Sequence, residues 1–144
     1  MTAEVRAVAR NPLIRRLKAL SLDPADFVVF GSGPLLAYGI RRKIRDLDVV
    51  ARGAAWARAV ESGTPARGAI TGDPCVQFWN GRIQFFRSWL TPHWDVDRLI
   101  DEAAVVDGVR FAAPAEVLAY NVCWHAPRTW PISTRWRAEH HVSE

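Results

Sequence analysis

The stretch that most constrains this chain is Phe27-Val28-Val29-Phe30-Gly31-Ser32-Gly33-Pro34, followed by Asp46-Leu47-Asp48-Val49-Val50-Ala51, with thirteen residues between Ser32 and Asp46. Four consecutive apolar strand formers leave no face for water, so residues 27–30 read as a buried strand. Gly31-Ser32-Gly33-Pro34 then turns the chain sharply into a short helix over 35–40, with Pro34 suited to its first turn and Gly39 near its end. The second run alternates polar and apolar and predicts a strand over 45–51. Side chains on a strand alternate faces, so Asp46 and Asp48 point the same way.

That order of elements suggests a chemistry. Gly31 and Gly33 let backbone approach a ligand closely. A helix N-terminus offers free N–H groups and the positive end of a dipole, both of which favour phosphate, and Ser32 adds a hydroxyl. Two neighbouring carboxylates repel each other unless a cation joins them. Mg²⁺, a hard ion that takes oxygen ligands and shares them with substrate phosphates, suits the pair. The combination reads as a metal–nucleotide site for phosphoryl or nucleotidyl transfer, where catalysis is mostly positioning and charge neutralisation. Asp95-Val96-Asp97 repeats the spacing but reads as the solvated start of a helix.

The rest of the chain alternates helix and strand. Residues 4–20 carry an amphipathic helical stripe that Pro12 divides or weakens. Residues 54–61 read as helix and 62–74 as a loop. Val76–Trp79 and Arg82–Phe86 flank Asn80-Gly81, a strong hairpin signal. Residues 95–106 read as helix, Asp107-Gly108 as a turn, 109–112 as extended and 114–124 as a further helix. The expected fold class is α/β (α+β), a small mixed sheet with flanking helices.

Composition narrows the setting. With 144 residues, 49% hydrophobic and 24% charged, the chain suits one domain with its own core and not a disordered polymer. No apolar run approaches the roughly 20 residues of a membrane span, so no membrane partner is expected. Two cysteines, Cys75 and Cys123, are too few for a disulfide framework, which suggests a reducing, cytoplasmic setting. The net charge of +4 gathers in two basic clusters. Arg6, Arg10, Arg15, Arg16 and Lys18 read as a solvated helix face. Arg41, Arg42, Lys43 and Arg45 directly precede the aspartates and could steer phosphate.

Phe30-Gly31-Ser32 and Asp46-Leu47-Asp48-Val49 resemble the signature of the nucleotidyltransferase superfamily, the DNA polymerase beta-like fold. The resemblance extends over most of residues 25–120 and is nearest to small stand-alone bacterial and archaeal members, some of them related to toxins of toxin–antitoxin pairs. It implies that Asp46 and Asp48 bind Mg²⁺, as a two-ion site in an active enzyme. It also implies that Gly31 and Ser32 contact the phosphates of a nucleoside triphosphate such as ATP. The third carboxylate of that family falls at Gln84, which brings no negative charge and is no general base. Asp73, on the preceding loop, is an alternative source.

The C-terminal residues 121–144 depart from the resemblance. They hold three of the seven tryptophans and three of the four histidines, with no apolar periodicity. Back-translated with GC-leaning codons and read from the third base of codon 121, residues 121–138 become an amphipathic string containing Arg-Pro-Lys-Asp, like the family's last segment. The domain is therefore expected over 1–120, followed by a poorly ordered tail read out of frame, which sequencing the gene around codon 121 tests.

Three functions follow as expectations. The first is Mg²⁺-dependent transfer of a nucleoside monophosphate from a nucleoside triphosphate to a hydroxyl of a protein, an RNA end or a small molecule. The second is a degenerate relative that binds nucleotide or a protein partner without turnover. The third is a nucleic-acid-binding module using the basic N-terminal helix.

Overall fold

The structure is a computed structural model that describes residues 2–67, 74–87 and 95–117. The tail 121–144, Cys123, Asp73 and the end of the helix expected over 114–124 lie outside the described residues.

The amphipathic stretch at the N-terminus is two helices, α1 (Ala3–Arg10) and α2 (Pro12–Ala19). Asn11 separates them. Its backbone is extended, and its side-chain oxygen accepts from the N–H groups of Leu13 and Ile14 at 2.9 and 3.1 Å. Pro12 then occupies the first turn of α2, where a missing N–H costs nothing.

A 3-10 turn at Pro24–Asp26 leads into β1 (Phe27–Phe30). Next come α3 (Gly33–Ala37), β2 (Leu47–Ala51), α4 (Gly53–Ser62) and β3 (Thr64–Arg67). The hairpin strands are β4 (Pro74–Phe78) and β5 (Ile83–Phe86). After α5 (Val96–Asp101) the described chain forms β6 (Ala104–Val106) and β7 (Val109–Phe111), and 114–117 is helical.

The strands make one mixed sheet in the order β3-β4-β5-β2-β1-β7-β6. The centre is held by antiparallel β1–β2 and by two parallel pairs, β2–β5 and β1–β7. The mixed α+β class expected from the sequence is what the chain forms.

Several boundaries differ from the sequence reading. The loop expected over 62–74 contains β3, whose four residues pair antiparallel with β4. The helix expected over 95–106 stops at Asp101, because Ala104–Val106 pairs instead with β7 across Asp107-Gly108, both at positive φ. Such a two-residue turn matches the twist of a hairpin. The strand expected from residue 45 starts at Leu47, the first residue paired with β5, so Asp46 lies just before the ladder. The helix expected over 35–40 runs from Gly33 to Ala37. The β4–β5 connection is Trp79–Arg82 rather than Asn80-Gly81 alone, with Trp79, Asn80 and Gly81 all at positive φ.

The sheet is covered on both faces. One face packs Val29, Leu47, Val49, Phe85 and Phe111 against Val8, Ile14 and Leu17 of the first two helices and Ala55 and Ala59 of α4. The other packs Val28, Phe30, Val50 and Phe86 against Leu35, Leu99, Ile100 and Val117. A strand buried on both sides has to be apolar throughout. In β2 the one polar side chain is Asp48, aligned with the second face.

Two polar contacts brace this frame. Arg52, at the end of β2, donates to Asp26, Asp97, Asp101 and the Ala25 carbonyl, tying the 3-10 turn to α5. The Tyr38 hydroxyl donates to the Ala112 carbonyl at 2.6 Å, joining the end of α3 to the strand edge, and burial pushes its pKa far up. No helix among the described residues is long and apolar enough to cross a membrane.

Candidate metal and nucleotide site

The site lies at one end of the sheet. There β1 runs out into Gly31-Ser32-Gly33 while β2 and β5 begin. The antiparallel register sets Phe30 opposite Asp48, so the turn after β1 meets the start of β2. Gly31 has φ +67, and a Cβ there would fall 2.6 Å from Oδ2 of Asp48. Gly31 is thus required twice, by its left-handed backbone and by the carboxylate lying against it. At Gly33 a Cβ would fall 2.3 Å from Cγ1 of Val29, so this glycine lets α3 close onto β1.

Asp48 is half-buried, and among the described residues no hydrogen-bond donor or cation is paired with it. Burial pushes its carboxyl up to about 7, and the nearby charge of Asp46 pushes the same way. Asp46 sits at the exposed rim. Desolvation raises its carboxyl too, while Arg45 pulls it back. The Asp46 charge thus acts on Asp48 although Asp46 precedes the strand. A buried acidic oxygen without a donor, beside a second carboxylate, matches the oxygen-only preference of Mg²⁺.

The parallel register of β2 and β5 puts Gln84 directly beside Asp48, and the next pairing puts Gln77 beside Gln84. Direct cross-strand partners share a face. Gln84 therefore occupies the place where a third acidic group would complete the pair. Its amide nitrogen lies 3.4 Å from the Gly81 carbonyl, leaving its oxygen as a neutral ligand atom. Among the described residues no group of three His, Cys, Asp or Glu side chains forms a metal cluster. Cys75 lies on the same face, and burial together with the Asp48 charge raises its thiol pKa.

The turn differs from the sequence reading in one respect. α3 is a five-residue helix, so its dipole is that of little more than one turn. Ser32 offers a hydroxyl that can donate or accept. It stands at the N-cap with no side-chain capping bond, and among the described residues its hydroxyl has no other partner.

A cavity of about 370 Å³ lies at the opposite end of β2, lined by Arg52, Gly53, Trp56, Arg87, Val96 and Asp97. Arg52 is already held there by carboxylates at 2.9 to 3.4 Å, which makes it a brace and not a free anion-binding group.

Sequence reasoning passed over the hairpin tip. Arg82 stands beside the start of β2, where Leu47 N–H donates to its carbonyl at 2.8 Å, and Trp79 closes the same turn, its carbonyl accepting from Arg82 N–H at 3.2 Å. Alternation along β5 flagged Gln84. The same counting along β4 would have put Gln77 beside it. Comparison with family models, with curated proteins and with solved structures returned no match.

Proposed function

We propose that this chain binds a nucleoside triphosphate with Mg²⁺ and transfers its nucleoside monophosphate to an acceptor hydroxyl. The observation that carries the reading is the Asp48 carboxylate, packed against the Gly31 backbone and unpaired among the described residues, with Asp46 at the rim beside it. Asp46 and Asp48 would hold the ion, which when bound neutralises phosphate charge. Gly31 gives the triphosphate close access to backbone, and the Ser32 hydroxyl donates to a phosphate oxygen. In the transfer, the acceptor oxygen bonds to the α-phosphorus as the bond to pyrophosphate breaks, and the acceptor's proton passes to solvent. The acceptor is a protein side chain, an RNA end or a small molecule. A cytoplasmic setting accords with this substrate.

Gln84 supports a second reading, a binding protein that holds nucleotide or a partner without turnover. An amide beside Asp48 cannot take the acceptor's proton and adds no charge to hold a second ion. Mg²⁺-dependent pyrophosphate release from ATP, measured with the full chain and with Gln84→Glu, separates the two. Release by the native chain supports transfer. Release only by Gln84→Glu supports the binding reading, and the absence of both release and nucleotide binding in the two proteins overturns transfer and nucleotide binding alike.

A further inference from the structure

The end of the sheet that carries Asp46 and Asp48 also gathers cations that no salt bridge holds. Arg41, Arg42, Lys43 and Arg45 fall within five residues of the segment entering β2, and among the described residues none is ion-paired. Arg82, also exposed and unpaired, heads the adjacent parallel strand. Other cations are held by the fold. Arg52, Arg98 and Lys18 are held by Asp26, Asp97, Asp101, Glu102, Glu116 and Asp107. Neighbouring like charges repel, so such a cluster calls for a polyanion.

A flat apolar surface adjoins these charges. Trp79 leaves the β4–β5 ladder at φ 51 and is 37% exposed, and the guanidinium of Arg16 lies 5.2 Å from its ring centroid. Among the described residues the other large exposed hydrophobics, Val60 of α4 and Val105 of β6, are aliphatic and offer no ring. Cations that follow a backbone, next to an aromatic ring on which a base stacks, are the paired elements of single-strand recognition. An acidic protein would use the charges and leave the ring idle.

We infer that this end of the sheet binds single-stranded nucleic acid, with phosphates along Arg42, Lys43, Arg45 and Arg82 and a base on Trp79. As an acceptor surface, the inference rests on the proposed transfer site, because it brings a strand end to Asp46 and Asp48. As a binding surface it is measured apart from that site. It also relocates the nucleic-acid contact expected of the N-terminal helices, of which Arg16 alone joins it.

The test is fluorescence anisotropy of the full chain with labelled single strands of about a dozen nucleotides, RNA and DNA, in EDTA and without nucleotide. Four phosphate contacts predict a slope of log affinity against log salt of about −3. Arg42→Ala/Lys43→Ala/Arg82→Ala should flatten the slope by about 2. Trp79→Ala should weaken binding roughly tenfold at unchanged slope, and Trp79→Phe should restore most of it. Asp48→Asn should leave strand binding intact, so a failure of the metal site and a failure of this surface are read separately. The inference is overturned if Arg58→Ala, an exposed change in α4 outside the proposed contacts, costs as much as the triple variant. Polyglutamate of equal charge binding as tightly as the strands, or Trp79→Ala binding like the native chain, overturns it equally.

Discussion

Replacing Asp48 by asparagine should stabilise the metal-free protein at neutral and higher pH, against the usual expectation for a polar group in a sheet. The folded-state carboxyl stands at about 7 against an ordinary 3.8. Between those values the folded state holds a proton that the unfolded state has released, so stability falls as pH rises through the window and levels off above it. At about 1.4 kcal/mol for each tenfold in proton affinity, the whole cost of ionising Asp48 in place is about 4 kcal/mol as an upper limit. The amide introduced by Asp48→Asn carries no charge, so the variant should match the native chain near pH 4 and exceed it near pH 8 by about 2–4 kcal/mol. That gain corresponds to a melting temperature higher by roughly 8–15 °C for a domain of this size. Thermal unfolding in EDTA across pH, by circular dichroism, measures it. Asp46→Asn removes the like charge and should move the native fall to lower pH. An Asp48→Asn variant less stable than the native chain by a constant amount at every pH would refute the reasoning, since the carboxylate would then be making a contact the variant loses.

Gly31→Ala should cost at least about 2 kcal/mol, since it meets both the left-handed backbone penalty and the Asp48 oxygen 2.6 Å away. Chemical denaturation checks this, and the second cost should shrink in an Asp48→Ala background. Asn11→Ala removes the side-chain cap of α2 and should lower stability by about 1 kcal/mol without changing nucleotide binding. Arg52→Ala strips a shared partner from Asp26, Asp97 and Asp101 and should cost about 1–3 kcal/mol, with the loss smaller at high salt because Asp97 and Asp101 are exposed.

What the sequence disclosed, and what it concealed, follows from where each element finds its partners. Phe27–Phe30 had to be buried because four apolar residues allow nothing else, and it became the central β1. Alternation set Asp48 on one face of β2 and Gln84 of β5 beside it, whereas Asp46 lies before the ladder, where strand alternation does not reach. Thr64-Pro65-Ala66-Arg67 carried no strand signal. It is an edge strand whose hydrogen bonds come from β4, and proline is tolerated at an edge. Residues 104–106 hid behind helical periodicity until β7 offered them a ladder. The raised Asp48 carboxyl was invisible too, because it depends on helices covering both faces of β2, a property of packing and not of local pattern.

Calorimetric titration with a non-hydrolysable ATP analogue near pH 8, with and without Mg²⁺, on the native chain and on Asp48→Asn, tests the central claim most directly, since it needs no acceptor. The proposed site predicts binding by the native chain that depends on Mg²⁺ and is lost in Asp48→Asn. Equal affinity in EDTA, or Mg²⁺-dependent binding retained by Asp48→Asn, would contradict it.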